Sequence, residues 1–231
     1  MKKLATIFGL TAVLAIAATS AFAANQVRIS QVYGGGGSAS AGPTYNVDYV
    51  EIFNSGATPV NVGGWTIEYG SATGSWGSSA SNIFTFPANT FIQPCKYLLV
   101  ASSVPSAGGG TLPLTPDFTF TIAASATNGK VALFNAVNTN LACGLELPGT
   151  LVDKVSFGSG NCSEVAATGV LSTTTGAVRN NGGVTDTDNN SLDFTVTTAP
   201  VPHNAASPAN TACLATPTVN KTWGSLKSIY R

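Results

Sequence analysis

The chain has 231 residues, of which only 9% are charged, with ten Lys/Arg against ten Asp/Glu and a single His. Without clustered Lys and Arg there is no electrostatic footprint for nucleic acid, and beyond the N-terminus no stretch reaches the roughly 18 apolar residues of a membrane span. Four cysteines without a Cys-x-x-Cys spacing argue against a zinc ribbon or a thioredoxin-type redox motif.

The chain opens with Met1-Lys2-Lys3, an apolar run from Leu4 to about Ala18, and Ala21-Phe22-Ala23. A basic start, a short apolar stretch and an Ala-x-Ala ending predict a secretory signal peptide over residues 1–23. The expected destination is extracellular, or else the periplasm or cell surface. In an exported chain Cys95, Cys143, Cys162 and Cys213 point to two disulfides, with three pairings open. Cys143 and Cys162 bracket one short segment and are the first candidate pair, which leaves Cys95 for Cys213.

Strand signals then follow one another. Val27–Tyr33, Asp48–Asn54 and Trp65–Tyr69 alternate apolar and polar residues, the period of a half-buried strand. Tyr97–Ala101 and Val131–Phe134 are continuous apolar runs, as expected of central strands covered on both faces, and Leu151–Phe157 closes the series. Turn chemistry separates them at Gly34–Gly37, Asn54-Ser55-Gly56, Gly63-Gly64, Gly108–Gly110, Asn128-Gly129 and Gly158-Ser159-Gly160. Short strands so punctuated predict an all-β, immunoglobulin-like sandwich of seven to nine strands over residues 24–160. Beyond it the pattern weakens into Thr, Ser, Asn and Gly, so residues 161–213 read as a loop-rich extension packed on the sandwich, with 175–215 as long loops. Residues 214–221 would be a linker and the remainder a tail, together the segment 214–231.

Two stretches resemble the bacterial lamin tail domain family. The first runs from Val27 to Tyr69. It combines the Gly34–Gly37 loop, Asp48-Tyr49-Val50-Glu51-Ile52-Phe53-Asn54 and Pro59-Val60-Asn61-Val62-Gly63-Gly64-Trp65-Thr66-Ile67. The second, Val178 to Phe194, is similar to a segment that follows the sandwich in secreted members, including those fused to extracellular nucleases. The resemblance implies an immunoglobulin-like sandwich acting as an accessory module, the nuclease chemistry of fused relatives lying in a separate domain. Two positions depart from the pattern: Val184 stands where relatives commonly carry Cys, and Pro202-His203-Asn204 where they carry Pro-Arg-Asn.

Candidate site residues are few. Trp65 is expected to fill the core, and Asn54 to begin a turn at the end of its strand. Trp76, inside Ser75-Trp76-Gly77-Ser78, sits in a predicted loop and is the more open of the two to a contact role, although a ring folded back onto the sheet is the favoured reading. Asp186, Asp188, Asn190 and Asp193 space oxygen ligands as calcium loops do, although the Gly and distal Glu of an EF-hand loop are absent and Asx turns explain the same residues. Calcium is therefore the one cofactor that these residues suggest. His203, the one histidine, has no nucleophile or orienting carboxylate near it in sequence and reads as a surface residue. No Gly-x-Ser-x-Gly or His-Glu-x-x-His motif occurs. In the tail, Trp223, Leu226 and Tyr230 recur at helical spacing with Lys227 and Arg231 beside them, a peptide suited to a membrane interface or a sorting machine. Trp223 and Tyr230 thus join Trp76 as candidate contacts.

The expected function is a non-catalytic secreted module for surface attachment or for contact with a protein or glycan partner at the cell surface. The alternative is an accessory subunit of an extracellular nuclease or hydrolase system.

Overall fold

The computed structural model describes residues 26–38 and 42–214. The segment 1–23, expected to be a signal peptide, and the tail residues Trp223 and Tyr230 lie outside the described residues. Twelve strands follow in order: β1 (Val27–Tyr33), β2 (Tyr49–Asn54), β3 (Val60–Asn61), β4 (Thr66–Ser71), β5 (Ile83–Thr85), β6 (Phe91–Ile92), β7 (Tyr97–Ser102), β8 (Phe118–Phe120), β9 (Gly129–Phe134), β10 (Leu151–Phe157), β11 (Thr175–Arg179) and β12 (Phe194–Thr198). They form a six-stranded sheet of order β12-β11-β1-β2-β7-β8, a four-stranded sheet of order β10-β9-β4-β5, and the small pair β3-β6. All pairings are antiparallel except β7 with β8. This is an immunoglobulin-like β-sandwich.

The core fills the gap between the two large sheets. Val27, Ile29, Val32, Val50, Ile52, Leu98 and Val100 descend from one, and Ile67, Tyr69, Val131, Leu133, Val155 and Phe157 meet them from the other. Each such aliphatic or aromatic side chain, once buried, contributes about 1.5–3 kcal/mol. The expectation for the apolar runs holds, since every residue of β7 and β9 is buried.

A bulge interrupts β1, where the register with β2 shifts between Ile29 and Gln31. It lets Ile29 and Val32 both point into the core while Ser30 and Gln31 both reach the outer face. Asn54 ends β2 as its residue type predicts. Its Oδ1 accepts from Gly56 N at 2.9 Å, and its Nδ2 donates to Thr58 O and Ile92 O.

Three expectations need correction. Residues 175–198 are not loops across the sandwich. They supply β11 and β12, and β11 pairs with β1 at Gln31–Val178 and Val32–Ala177. Thr and Val are good strand formers on a half-buried surface, and a low count of large apolar groups hid them. The tryptophans supply the other two: Trp65 does not fill the core, and Trp76 is not a contact residue but takes the folded-back position that its sequence reading favoured. Trp65 packs half-buried against the rim of the core. Trp76 is 0% exposed, packed on the outer face of the four-stranded sheet against Phe134 and Cys162. Its Nε1 donates to Glu146 Oε1 at 2.8 Å. The loop folds back over the sheet to bury its indole, so Trp76 presents nothing to a partner.

The disulfides are Cys143–Cys162 and Cys95–Cys213. The first pins the loop that covers Trp76. The second ties the segment after β12 to the turn before β7.

Candidate functional site

The outer face of the six-stranded sheet carries a row of side chains that alternation would assign to solvent: Ser30, Gln31, Tyr33, Tyr49, Glu51, Phe53 and Tyr97. All are buried. A strap formed by residues 199–214 crosses part of this face. It is fastened by Lys96 Nζ donating to Ser207 O, by Ala205 N donating to Asp117, by Asn210 and by the Cys95–Cys213 bridge.

Glu51 is the centre of the arrangement. Its Oε1 accepts from Ser30 Oγ at 2.6 Å, and both oxygens face Gln31 Nε2 at 3.3–3.4 Å. Oε2 accepts from the main-chain N–H of His203 and lies 3.3 Å from His203 Nδ1. A fully buried carboxylate is tolerable only with such a set of donors. The bulge in β1 supplies two of them by turning consecutive side chains the same way.

His203 is therefore not a simple surface residue. Its ring stacks on Tyr97 with centroids 4.5 Å apart, and Tyr97 in turn packs on Phe53 at 4.8 Å. With Nδ1 facing Glu51 the ring is fixed in orientation, yet the side chain remains 37% exposed. The hydrogen bond to Glu51 raises the His203 pKa, and burial offsets part of the rise. Burial drives the Tyr97 hydroxyl up to about 12, against a bond from Asn210, so it is a neutral phenol throughout the physiological range.

In front of His203 lies a cleft of about 370 Å³, walled by Tyr97, Asn181, Gly182, Asn210 and Thr211. Its rim on one side is the turn Asn181-Gly182-Gly183, three successive residues with φ of 53°, 64° and 102°. Asn210 Nδ2 bonds Tyr97 Oη and the carbonyls of Asn181 and Gly182, which locks strap and turn together. Sequence reasoning missed this site because the Glu51–His203 contact spans 152 positions. The available signal was Glu51 itself, an acid in the middle of an apolar strand.

The order of groups here is Ser30, Glu51, His203, with the acid between the hydroxyl and the imidazole. In a hydrolytic triad the imidazole lies between them and takes the nucleophile's proton. Ser30 is a buried donor to the carboxylate and is not positioned as a nucleophile.

A second charged cluster joins the two sheets. Arg179 of β11, fully buried, donates Nε to Ile29 O and Nη2 to Asp153 Oδ2 of β10 at 2.7 Å, while Nη1 contacts Asp186 at 3.0 Å and Asp193 at 3.6 Å. Burial opposes the charge of Arg179, but Asp153, Asp186 and Glu164 more than offset it and raise its pKa. Glu164 nearby is pushed up to about 8 by burial and by the surrounding acids.

This cluster engages two of the four residues with the calcium-like spacing, Asp186 and Asp193. Asp186, Asp188, Asn190 and Asp193 do not meet at one point. Asp186 pairs with Arg28 and Arg179. Asp193 accepts from Thr187 N, Thr187 Oγ1 and Asn189 N. Asn190 is buried, bonding Ser156 N and Lys154 O across to β10. Asp188 is exposed. The acids that do converge are Asp153, Glu164 and Asp186, and the guanidinium of Arg179 stands among them. At another cleft, about 320 Å³ beside Gly37 and Ile122, the Asp48 carboxylate is committed to main-chain N–H groups of Gly36 and Ala124, and burial raises its pKa to about 6.

Among curated proteins none matches the chain. A solved structure of a DUF4876 family protein from Bacteroides thetaiotaomicron is similar to it at a TM-score of 0.49 and 12% identity, over 81% of this chain and 76% of that one. A model of the Lamin Tail Domain family matches residues 20–159, more than half of the sequence. The chain belongs to the lamin tail domain family.

Proposed function

We propose that this protein is an exported, non-catalytic β-sandwich module that makes surface attachments by contact with a protein or glycan, with the His203 cleft as a point of contact. The observation that carries the reading is a ring fixed from behind and open in front. Glu51 and Tyr97 hold His203 still, so a ligand meeting it loses little side-chain entropy in the protein. The cleft walls add the amide of Asn181 and the hydroxyl of Thr211, groups that orient a polar ligand without chemistry. The two disulfides suit an oxidising compartment, and no helix among the described residues is long and apolar enough to cross a membrane.

A glycan array and a pull-down from culture medium, each run with the unaltered chain and with His203→Ala, test this directly. The expected result is a retained ligand whose binding falls at least tenfold in the variant. An array without hits, no captured protein and unaltered cell attachment on deletion of the gene would together overturn the reading. Capture of a nuclease or hydrolase would replace it with the accessory role.

A further inference from the structure

The rims of the two large sheets differ in how they end. A sheet edge displays unpaired N–H and C=O groups, and proteins blunt it by shortness, charge, proline, bulges or a covering segment. Strand β8 has three residues and directly follows Pro116-Asp117. Strand β5 also has three, with Pro87 two positions on. Strand β10 is longer but carries Asp153, Lys154 and a bulge. Its outer row is also occupied: Asn190 Nδ2 donates to Lys154 O, Ser156 N to Asn190 Oδ1, and Thr168 N to Ser156 O.

Strand β12 is five residues long and has none of these devices within it, although Asp193 directly precedes it and Pro200 stands two positions on. Phe194-Thr195-Val196-Thr197-Thr198 holds no charge and no proline, and it pairs with β11 at five consecutive positions without a bulge. Among the described residues, its backbone meets nothing beyond β11 except Asn190 O, which takes Phe194 N–H, and Thr197 Oγ1, which bonds Thr195 O.

Exposed apolar side chains gather beside this edge. Leu192 lies two residues before the strand and Val196 within it. Asn190 N and Ser191 N donate to Glu164 O and Ala166 O, which brings Val165 alongside. Val165 is 82% exposed and has φ of 53°. A β-branched residue in the left-handed region costs about 1–3 kcal/mol, and here it carries an isopropyl group that stands in water.

We propose that β12 is the interface of a homodimer, in which two copies pair antiparallel about a two-fold axis at Val196 and join their six-stranded sheets edge to edge. A two-fold interface must be complementary to itself. Thr195-Val196-Thr197 reads the same from either end, so Val196 faces the partner's Val196 and Thr195 faces the partner's Thr197. Threonine pairs across strands are favourable and like charges directly opposite are not. An edge without charge satisfies that requirement, whereas the Lys154 of β10 set against its own copy would not. Five residues with an apolar flank form an interface at the small end of the known range, so dimerisation in the micromolar range is expected.

Sedimentation equilibrium of the mature chain over roughly 1–100 μM, with hydrogen exchange at both ends of that range, tests the proposal. The expected result is a doubling of mass together with slowed exchange of the amides of residues 194–198. Val196→Lys places two cations at the axis and should leave a monomer at every concentration. Its melting temperature, measured in dilute solution, should match the unaltered chain, which separates a lost interface from a lost fold. Should Val196→Lys unfold, Leu192→Ser on the exposed flank must still weaken the dimer. A monomer throughout the range, or a dimer that persists in Val196→Lys with unchanged exchange at 194–198, would overturn it.

Discussion

At the scale of single residues, Glu51 and His203 show how a side chain without polar neighbours in sequence becomes the hub of a face. Replacing Glu51 by Ala leaves Ser30 Oγ, Gln31 Nε2 and the His203 N–H facing an apolar methyl. Loss of such a buried, bonded charge costs about 3–5 kcal/mol, and urea denaturation of Glu51→Ala should show a drop of that size. The titration of His203 gives a second handle. Its pKa is raised above the ordinary 6.5 in the folded chain, so its contribution to stability is fully present below about pH 6.5 and is lost as the pH climbs through the higher folded value. His203→Arg, which keeps a cation beside Glu51 at all such pH values, should remove that part of the pH dependence. If the two stability–pH curves have the same shape between pH 6 and 8, the pairing contributes nothing to folding.

At the scale of elements, alternation and apolar runs were readable for β1, β2, β4, β7, β9 and β10, and the observed bounds fall within a residue or two of those expected. The short strands β3, β5, β6 and β8 leave too few residues for a period to register. Strands β11 and β12 were hidden by composition, since Thr-Gly-Ala-Val-Arg and Phe-Thr-Val-Thr-Thr contain little bulk and one charge. That charge, Arg179, points between the sheets, where Asp153 from β10 receives it. No local pattern announces a partner 26 positions away on the opposite sheet. The acids of residues 186–193 were conspicuous and their use was not, because Asp186 and Asp193 face Arg179, a cation that comes from another element of the chain. Arg179→Leu should cost about 3–5 kcal/mol by leaving Asp153 and Asp193 inside without a counter-charge. The double variant Arg179→Leu, Asp153→Leu should recover part of that loss, and no recovery in urea melts would mean that packing against Phe194, 4.4 Å from the guanidinium, sets the cost instead.

At the scale of the whole molecule, two bridges close very different lengths of chain. Cys143–Cys162 spans 19 positions and Cys95–Cys213 spans 118. If restriction of the unfolded chain dominates, removing them costs about 3 and about 5 kcal/mol respectively. Paired Cys→Ala variants compared by urea denaturation should therefore rank the long bridge as the more stabilising, and the reverse order would refute that account. The position of the long bridge also decides how the molecule bears load. Traction on the polypeptide beyond Leu214 enters at Cys213, crosses to Cys95 and arrives two residues before β7, in the interior of the six-stranded sheet. The hairpin of β11 and β12 and the strap behind it are short-circuited, so a tug that would otherwise peel strands one by one from the rim is delivered to strands clamped on both sides.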